Sequence, residues 1–296
     1  MATPSAVFPE EVSPDVLRTR YSDLAGFDDE AVRAHFHAYG RDEGRAASDA
    51  AFRQVFVGLI DSDQSLLEIG PFCQPVFEGP NVRYLDILDA DALKGRGEAI
   101  GMDVGRCPRT IHYTRGLAEA AGANFDVIFS SHNLEHQPDL IGHLNEAAAA
   151  LAAGGVYAML IPDKRYCFDH FLPETTVAEV LEAHVEGRTR HAARHVVEHM
   201  AMTTHNDSAA HWRGEHGERS IGTDGRLSQA VAAINAANGD YIDVHAWKFT
   251  PQIFREITSA LTAMGVCRLK PLRVYDTPHG SNEFSAVMVV ADDHGR

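Results

Sequence analysis

Histidines are concentrated in one stretch of the chain. The sequence has 296 residues and 17 histidines, and seven of these histidines lie between residues 184 and 216. An imidazole takes up a proton near neutral pH, because its unperturbed pKa is about 6.5, and its neutral form is a common metal ligand. The stretch therefore suggests acid–base chemistry or a metal site.

Two residue patterns within this stretch indicate possible metal or acid–base sites. His205, Asp207 and His211 supply two imidazoles and a carboxylate, a set that holds divalent metals in other proteins. The same side chains also suit general-base or substrate-binding roles, and a solvated histidine-rich loop is the structural alternative. His195-Val-Val-Glu198-His199 matches the H-x-x-E-H pattern of inverted zinc peptidases, a match that arises easily by chance in a histidine-rich helix.

We expect the catalytic proton acceptor among four side chains, with a preference for the first two: His136, His205, Asp163 and His245. Asp163 follows a predicted strand, and His245 precedes a predicted helix, so both should point toward one crevice. The alternative for His136 is that it only orients the helix that follows it.

Composition excludes several function classes. Lys+Arg minus Asp+Glu leaves a net charge of −16, which gives no sequence-wide attraction for nucleic acid. No apolar run approaches the roughly 18 residues of a membrane helix, and the N-terminus lacks a secretory signal. The four cysteines form no C-x-x-C pair, so we expect no disulfide framework and a cytoplasmic location.

Alternating apolar runs and helical patterns predict the elements that position these residues. Strands are expected at 65–69, 82–87, 110–113, 125–130, 156–161, 269–275 and 284–290. Helices are expected at 139–152, ending at Gly154-Gly155, and from Pro251 to Gly265. The alternation predicts an α/β fold, a doubly wound and mostly parallel seven-stranded sheet whose last two strands form an antiparallel hairpin.

Three further segments complete the predicted organisation. Residues 1–50 are expected to form an N-terminal helical arm, residues 51–165 and 245–296 the α/β core, and residues 166–244 an inserted helical cap. In the cap, one helical stripe is expected to contain His184, His191, His195 and His199. The arm would serve packing or dimerisation, so a homodimer is one arrangement to test.

Ligands of open parallel sheets bind at the carboxyl ends of the strands. The first strand ends at Glu68-Ile-Gly70-Pro71, and the second ends at Asp86, 18 residues after Glu68. Only Gly70 remains of the glycines that a dinucleotide fingerprint needs, so a cofactor with a pyrophosphate is disfavoured. Asp86 can accept hydrogen bonds from a ribose diol, although an ordinary turn residue is the alternative.

The fourth predicted strand adds a motif, Phe125-Asp-Val-Ile-Phe-Ser-Ser-His-Asn-Leu-Glu-His136-Gln-Pro-Asp139. Together with Glu68 and the Gly154-Gly155 turn, it resembles class I S-adenosylmethionine-dependent methyltransferases over residues 65 to about 291. The glycine loop is depleted and Ala153 replaces the usual proline, which departs from the family pattern. The stretch 161–171 resembles a subgroup found among bacterial glycan and natural-product genes, and residues 21–45 resemble a helical module of some glycan-modifying enzymes.

The resemblance implies S-adenosylmethionine as cofactor and assigns residues to it by motif position. Glu68, Gly70 and Pro71 would lie near the methionine moiety, and Asp86 would hold the ribose. Gly116 and Leu117 would border the adenine, and the residues flanking the sulfonium would be Ser130, Ser131 and His132.

The sequence thus predicts a methyltransferase that acts on a small or medium polar acceptor. The preferred acceptor is a sugar or a hydroxylated natural product, which would be methylated on oxygen while a histidine accepts the proton. N- or C-methylation stays open. A metal-dependent lyase or hydrolase using the histidine-rich insertion is one alternative, with His205, Asp207 and His211 as ligands of a divalent metal. A nucleoside-binding protein without turnover is the other. Neither nucleic acid nor membrane is an expected partner.

Overall fold

A computed structural model describes residues 4–61, 63–221 and 225–291 of the chain. Its six strands form one sheet in the order β2-β1-β3-β4-β6-β5. The first four strands are parallel, and β6 runs antiparallel to both of its neighbours. The doubly wound α/β prediction and its antiparallel hairpin edge are confirmed. The strands are β1 (Leu66–Ile69), β2 (Val82–Leu85), β3 (Phe125–Ser131), β4 (Leu151–Pro162), β5 (Leu269–Val274) and β6 (Glu283–Val290).

The predicted strand at 110–113 is not formed as a strand, so the described sheet has six strands rather than seven. The segment still lies at the sheet edge, where Tyr113 forms one parallel bridge with Leu85. The backbone N–H of Tyr84 donates to the His112 side chain (Nδ1, 3.1 Å) instead of to a backbone carbonyl. A side chain therefore takes one place in the hydrogen-bond ladder, which explains why pairing does not extend.

Helices cover both faces of the sheet and form the inserted segment. The longest, α10, begins after Thr250, whose Oγ1 accepts from Ile253 N, and has a proline in its first turn. The helices are α1 (Pro14–Arg20), α2 (Asp29–His35), α3 (Arg53–Gly58), α4 (Ala90–Ala99), α5 (Leu140–Ala150), α6 (Val177–Val185), α7 (Ala193–Ala201), α8 (Ser208–Trp212), α9 (Arg226–Ala237) and α10 (Pro251–Ala263). None of the helices in the described ranges is long and apolar enough to cross a membrane.

Two predicted details of these elements are wrong. Helix α5 ends at Ala150 and leads directly into β4, so Gly154-Gly155 is a bulge inside the strand and not a helix stop. The histidine stripe is divided, because α6 ends before Gly187 and α7 starts only at Ala193. His184 and His191 therefore do not share a helix with His195 and His199.

The expectation that the cysteines form no disulfide framework does not hold for one pair. Cys73, in the loop after β1, forms a disulfide with Cys107, in the segment after α4. Cys167 and Cys267 are free and buried. The disulfide ties the first loop of the sheet to the segment after α4, and the cysteine pattern no longer supports a reducing compartment.

The N-terminal segment has a small core of its own, and ion pairs join it to α10 and to the segment after β5. Leu17, Val32 and Phe36 are fully buried within that core. Arg255 of α10 pairs with Glu11 at 2.7 Å, and Arg41 pairs with Asp276 at 3.1 Å. These contacts place the N-terminal segment against α10 and the end of β5.

Candidate functional site

The strand order reverses between β1 and β3, because β2 lies on one side of β1 and β3 on the other. Ligand crevices of open α/β sheets lie at such a reversal, beyond the carboxyl ends of the strands. Gly70 follows β1 with φ +68°, and a Cβ built on it would lie 3.3 Å from the Asn133 side chain. The loops after β1 and β3 therefore meet at this edge, at a position that favours glycine.

Glu68 is buried and holds the loop after β1 in place. Its two carboxylate oxygens accept from the backbone N–H groups of Val76 (2.8 Å) and Phe77 (3.0 Å). Burial raises the pKa of this carboxyl to about 7, although the two backbone hydrogen bonds oppose the shift. Pro71 is buried beside it, and its carbonyl accepts from Gln74 N at 3.0 Å. Glu68 thus positions the loop, and its oxygens are already occupied.

We expect the stability of the protein to depend on pH through Glu68. Between pH 4.5 and 7 the folded state keeps the Glu68 proton and the unfolded state loses it, so the free energy of unfolding falls as pH rises through this window. The full effect is roughly 3 kcal/mol for a shift of this size. Urea unfolding at several pH values should show a smaller decrease for Glu68→Gln than for the wild type. Equal pH dependence would contradict the assignment, and Glu78→Gln in the same loop is the control.

Asp86 lies at the carboxyl end of β2 and is partly exposed. Its Oδ1 accepts from the backbone N–H of Leu88 at 3.1 Å, and its own N–H donates to the Tyr113 carbonyl at 3.1 Å. Burial raises the pKa of the carboxyl, and backbone hydrogen bonds oppose the shift. The turn at Gly116, with φ +96°, leads into a short 3-10 helix that starts at the buried Leu117.

The end of β3 presents one accessible side chain and two occupied ones. Ser130 is buried and bonds the Tyr157 hydroxyl at 3.0 Å, while Ser131 accepts from Arg53 at 3.1 Å. His132 has φ +50°, and its side chain is 37% exposed. Its Nε2 lies 2.7 Å from Glu283, and its Nδ1 lies 3.9 Å from Glu135 Oε1. His132 is therefore the group at this strand end that a ligand can reach.

Electrostatics tie His132 to its neighbours. Burial disfavours the imidazolium, but the carboxylates of Glu283 and Glu135 outweigh it, so the pKa of His132 is raised. Burial likewise disfavours the Glu283 carboxylate, yet His132 and Arg53 lower its pKa. Arg53 donates to both Glu283 oxygens, at 2.8 and 3.1 Å. The arginine and the carboxylate thus fix the histidine ring.

A second group lies beside His132, around the fully buried Glu135. Glu135 Oε1 is 3.7 Å from His136 Nε2, 3.8 Å from His245 Nε2 and 3.9 Å from His132 Nδ1. The backbone joins the segments, because Ala246 N donates to the Glu135 carbonyl at 2.7 Å. Two of the four expected catalytic residues, His136 and His245, are therefore brought together.

Each of these two histidines has a carboxylate next to its Nδ1 atom. His245 Nδ1 lies 2.6 Å from Asp169, and His136 Nδ1 lies 2.9 Å from Asp243. Burial opposes the charged form of His136, but Asp243 and Glu135 outweigh it and raise its pKa. His136 in turn lowers the pKa of Asp243 to about 2.

The other two expected catalytic residues lie elsewhere. The Asp163 carboxylate is buried and accepts from the Arg165 guanidinium (2.7 Å) and the Thr277 hydroxyl (2.7 Å), so it is a structural ion-pair centre. His205 stacks on His211, with ring centroids 4.3 Å apart. Both Asp163 oxygens are occupied, and His205 belongs to a separate histidine cluster.

The predicted metal set is not assembled. Asp207 caps α8 by accepting from Ala210 N at 3.0 Å, and His205 Nε2 contacts the Glu215 carbonyl at 3.0 Å. His211 instead meets His216, with 3.0 Å between their Nδ1 atoms, and both lie near His170. The Asp207 carboxylate caps a helix, so it does not join the two histidines as a metal ligand.

The H-x-x-E-H pattern on α7 is occupied by an ion pair. Glu198 Oε2 lies 2.6 Å from the ammonium of Lys248, and both side chains are nearly buried. His195 is buried against Trp247, with ring centroids 5.8 Å apart. These contacts are structural, and they leave no zinc ligand set on this helix.

We expect Lys248→Met to lower the free energy of unfolding by about 3 kcal/mol, because it leaves the Glu198 carboxylate buried without its main partner. The double variant Glu198→Gln/Lys248→Met should recover most of that loss. Urea unfolding of the three proteins measures both effects. A Lys248→Met protein as stable as the wild type would refute the structural role of the pair.

Two cavities lie apart from this edge. One, of about 250 Å³, is lined by Ser65, Asn81 and Phe125, near the amino ends of β1 and β3. The other, of about 310 Å³, is lined by Arg41 and Thr250 among others. Neither lining includes Asp86 or His132, so neither cavity is assigned to a cofactor.

Sequence reasoning overlooked the carboxylates of the site. Glu135 is part of the quoted fourth-strand motif but received no role, and the same is true of Asp169, Asp243 and Glu283. A signal was present for two of them, since Glu135 adjoins His136 and Asp243 lies two residues before His245. No local pattern indicates Asp169 or Glu283, because each meets its histidine only in the folded chain.

No protein-family model matches the chain, and no curated protein matches it significantly. A 1,6-didemethyltoxoflavin-N1-methyltransferase of Burkholderia thailandensis, solved with S-adenosylhomocysteine, is 13% identical over 96% of this chain and 93% of that chain, with a TM-score of 0.42. An S-adenosylmethionine-dependent methyltransferase of Clostridium acetobutylicum is 9% identical over 92% and 99%, with a TM-score of 0.40.

A third similar structure, from Rhodobacter sphaeroides, is provisionally described as a zinc-dependent alcohol dehydrogenase. It is 10% identical over 77% of this chain and 84% of that chain, with a TM-score of 0.41. Similarities at this level carry no functional argument. The function therefore has to be inferred from the residues at the carboxyl edge of the sheet.

Proposed function

We propose that the protein is an S-adenosylmethionine-dependent methyltransferase that methylates a hydroxyl group of a small or medium polar acceptor, such as a sugar or a hydroxylated natural product. The observation that carries the proposal is the partly exposed Asp86 carboxylate at the end of β2, beside the reversal between β1 and β3. This is where a nucleoside ribose binds in open α/β sheets.

The residues at this edge fit a nucleoside without phosphates better than a dinucleotide. The Asp86 carboxylate is partly exposed, so besides the backbone N–H of Leu88 it can accept from ribose hydroxyls. The loop after Gly70 continues with Pro71 and Phe72, so it lacks the successive glycine amides that bind pyrophosphate. Glu68 fixes this loop, and Gly116 and Leu117 are proposed to border the adenine.

For methyl transfer the protein has mainly to align the acceptor with the methyl group and to remove the proton of the acceptor hydroxyl. S-adenosylmethionine supplies a methyl carbon that is already electrophilic. As the acceptor oxygen forms its bond to that carbon and the carbon–sulfur bond breaks, the hydroxyl proton must leave. We assign proton acceptance to Nδ1 of His132, whose Nε2 is held by Glu283. The electron pair of the broken bond stays on sulfur, which leaves a neutral thioether.

Two segments outside the α/β core would enclose the acceptor. We propose the inserted cap, residues 166–244, and the N-terminal arm, residues 1–50, for this role. The position of the cap supports its part in this role, since Asp169 of the cap contacts His245 beside the site. Exclusion of water at this point would keep the reaction from hydrolysis.

Calorimetric titration of the full-length protein with S-adenosylmethionine, with and without EDTA, tests the proposal. We expect stoichiometric binding that EDTA leaves intact, and a mass increase of about 14 Da on one component of a native extract. Absence of binding in a protein that holds a stoichiometric metal would favour a metal-dependent lyase or hydrolase. Binding without any methylated component would favour a nucleoside-binding protein without turnover.

A further inference from the structure

We propose that Glu135, His136 and His245 bind a divalent transition-metal ion at the carboxyl edge of the sheet. The site itself is inferred from its own geometry. Only its catalytic role, which is to bind the acceptor hydroxyl, rests on the proposed methyl transfer.

Three potential ligand atoms converge beside the end of β3. One oxygen of Glu135, one ring nitrogen of His136 and one of His245 all lie within 4.8 Å of one another. Ligands at about 2.1 Å from a zinc ion, arranged tetrahedrally, are separated by roughly 3.4 Å. The observed separations from Glu135 Oε1, 3.7 and 3.8 Å, are close to that value.

The Glu135 carboxylate is buried and makes no hydrogen bond within the described residues. The Glu135 side chain is 0% exposed, and neither of its oxygens makes a hydrogen bond in the described structure. A buried carboxylate without a partner costs several kcal/mol. A cation between Glu135 and the two histidines would coordinate the carboxylate directly, whereas no described side chain donates a hydrogen bond to it.

A carboxylate also lies next to the second ring nitrogen of each of the two histidine ligands. Metal-binding histidines usually present their second nitrogen to a carboxylate or carbonyl, which fixes the ring. Asp169 does this for His245 at 2.6 Å, and Asp243 lies 2.9 Å from His136 Nδ1. The two rings are perpendicular, at 87° with centroids 4.7 Å apart, so their Nε2 atoms can point at one centre.

The other histidine group is less suitable. The rings of His170 and His216 are stacked, 3.7 Å apart and 12° from parallel. The lone pairs of stacked rings lie in two separate, nearly parallel planes, so one ion cannot lie in both. No carboxylate belongs to this group in the described residues.

The ligand types indicate the class of metal. Two imidazoles and one carboxylate suit zinc, iron or manganese, whereas magnesium prefers oxygen ligands. An acceptor hydroxyl bound to such an ion would be more acidic. His132 lies 3.9 Å from Glu135 and so adjoins the place where that hydroxyl would bind.

Metal binding by full-length protein, first stripped with EDTA, tests the site. We would titrate Zn²⁺ by calorimetry and record visible spectra with Co²⁺, using the His211→Ala/His216→Ala variant to remove the other group. We expect one equivalent to bind in this background, and about 100-fold or greater weakening when Glu135→Gln is added. Mg²⁺ at the same concentration should not compete.

A second measurement separates metal binding from a folding defect. Glu135→Gln removes the buried charge, so in the His211→Ala/His216→Ala background the metal-free protein should be at least as stable with this substitution as without it, yet Zn²⁺ should no longer raise its melting temperature. Unchanged Zn²⁺ affinity when Glu135→Gln is added to that background, or complete loss in His211→Ala/His216→Ala alone, would overturn the proposal. Titration with S-adenosylmethionine in EDTA is independent of these results, so failure of the metal site leaves the proposed function separately testable.

Discussion

Replacing Asp86 with alanine should weaken binding of S-adenosylmethionine about 100-fold or more. The proposed contact is a pair of hydrogen bonds from the ribose hydroxyls to a charged carboxylate, each of about 1.5–3 kcal/mol. Their joint loss, about 3 kcal/mol or more, corresponds to at least two orders of magnitude in the dissociation constant. Calorimetric titration of both proteins measures the change directly.

Asp91→Ala is the matched control for this variant. Asp91 is exposed, lies in the first turn of α4, and carries the same charge five residues from Asp86. Its removal should leave the dissociation constant near the wild-type value. If Asp86→Ala binds as tightly as the control, the ribose assignment is wrong.

A His132→Ala variant should lose about 100- to 10,000-fold in turnover, the range that a positioned general base contributes. The reason is geometric, since His132 is the accessible histidine at the end of β3 and Glu283 holds its other nitrogen at 2.7 Å. Steady-state kinetics should show the loss in kcat, with KM for S-adenosylmethionine changed much less. Calorimetry should confirm that cofactor affinity stays near the wild-type value.

His205→Ala provides the comparison for that experiment. His205 belongs to the separate histidine cluster, where it stacks on His211. Its removal should therefore leave turnover near the wild-type level. If both variants lost turnover to a similar extent, the loss in His132→Ala could not be attributed to proton transfer by His132.

Much of the sheet could be predicted because its strands are short apolar runs that end at chemically distinctive residues. The parallel strands β1, β3 and β4 are buried on both faces and therefore read as continuous hydrophobic segments. The edge segment at 110–113 shows the limit of this reasoning. There a histidine side chain takes a backbone hydrogen bond, and strand propensity carries no information about that competition.

The histidine-rich insertion was harder to predict. Periodicity alone suggested one helix, but Gly187 takes φ +60°, and Arg188 N donates to the Ala183 carbonyl at 3.1 Å. This is a helix-terminating motif that needs a glycine just beyond the helix. The sequence contained that signal, and the regular spacing of histidines obscured it.

The candidate site depends on contacts between residues far apart in the chain. His136 and His245 were both predicted catalytic residues, and Glu135 and Asp243 lie close to them in sequence, but no local pattern predicts that the two histidines converge or that Asp169 joins them. Their assembly follows from docking of the segment around residue 246 onto the Glu135 carbonyl. Such pairings are set by the tertiary fold, so sequence patterns identify the participants and not their partners.

The most direct measurement is a crystal structure of the protein grown with S-adenosylhomocysteine. The account predicts electron density for the nucleoside at the ends of β1, β2 and β3, with the ribose hydroxyls within hydrogen-bond distance of Asp86 and the sulfur facing His132. Density for a pyrophosphate cofactor at that edge, or a crevice filled by the protein's own side chains under saturating ligand, would contradict it.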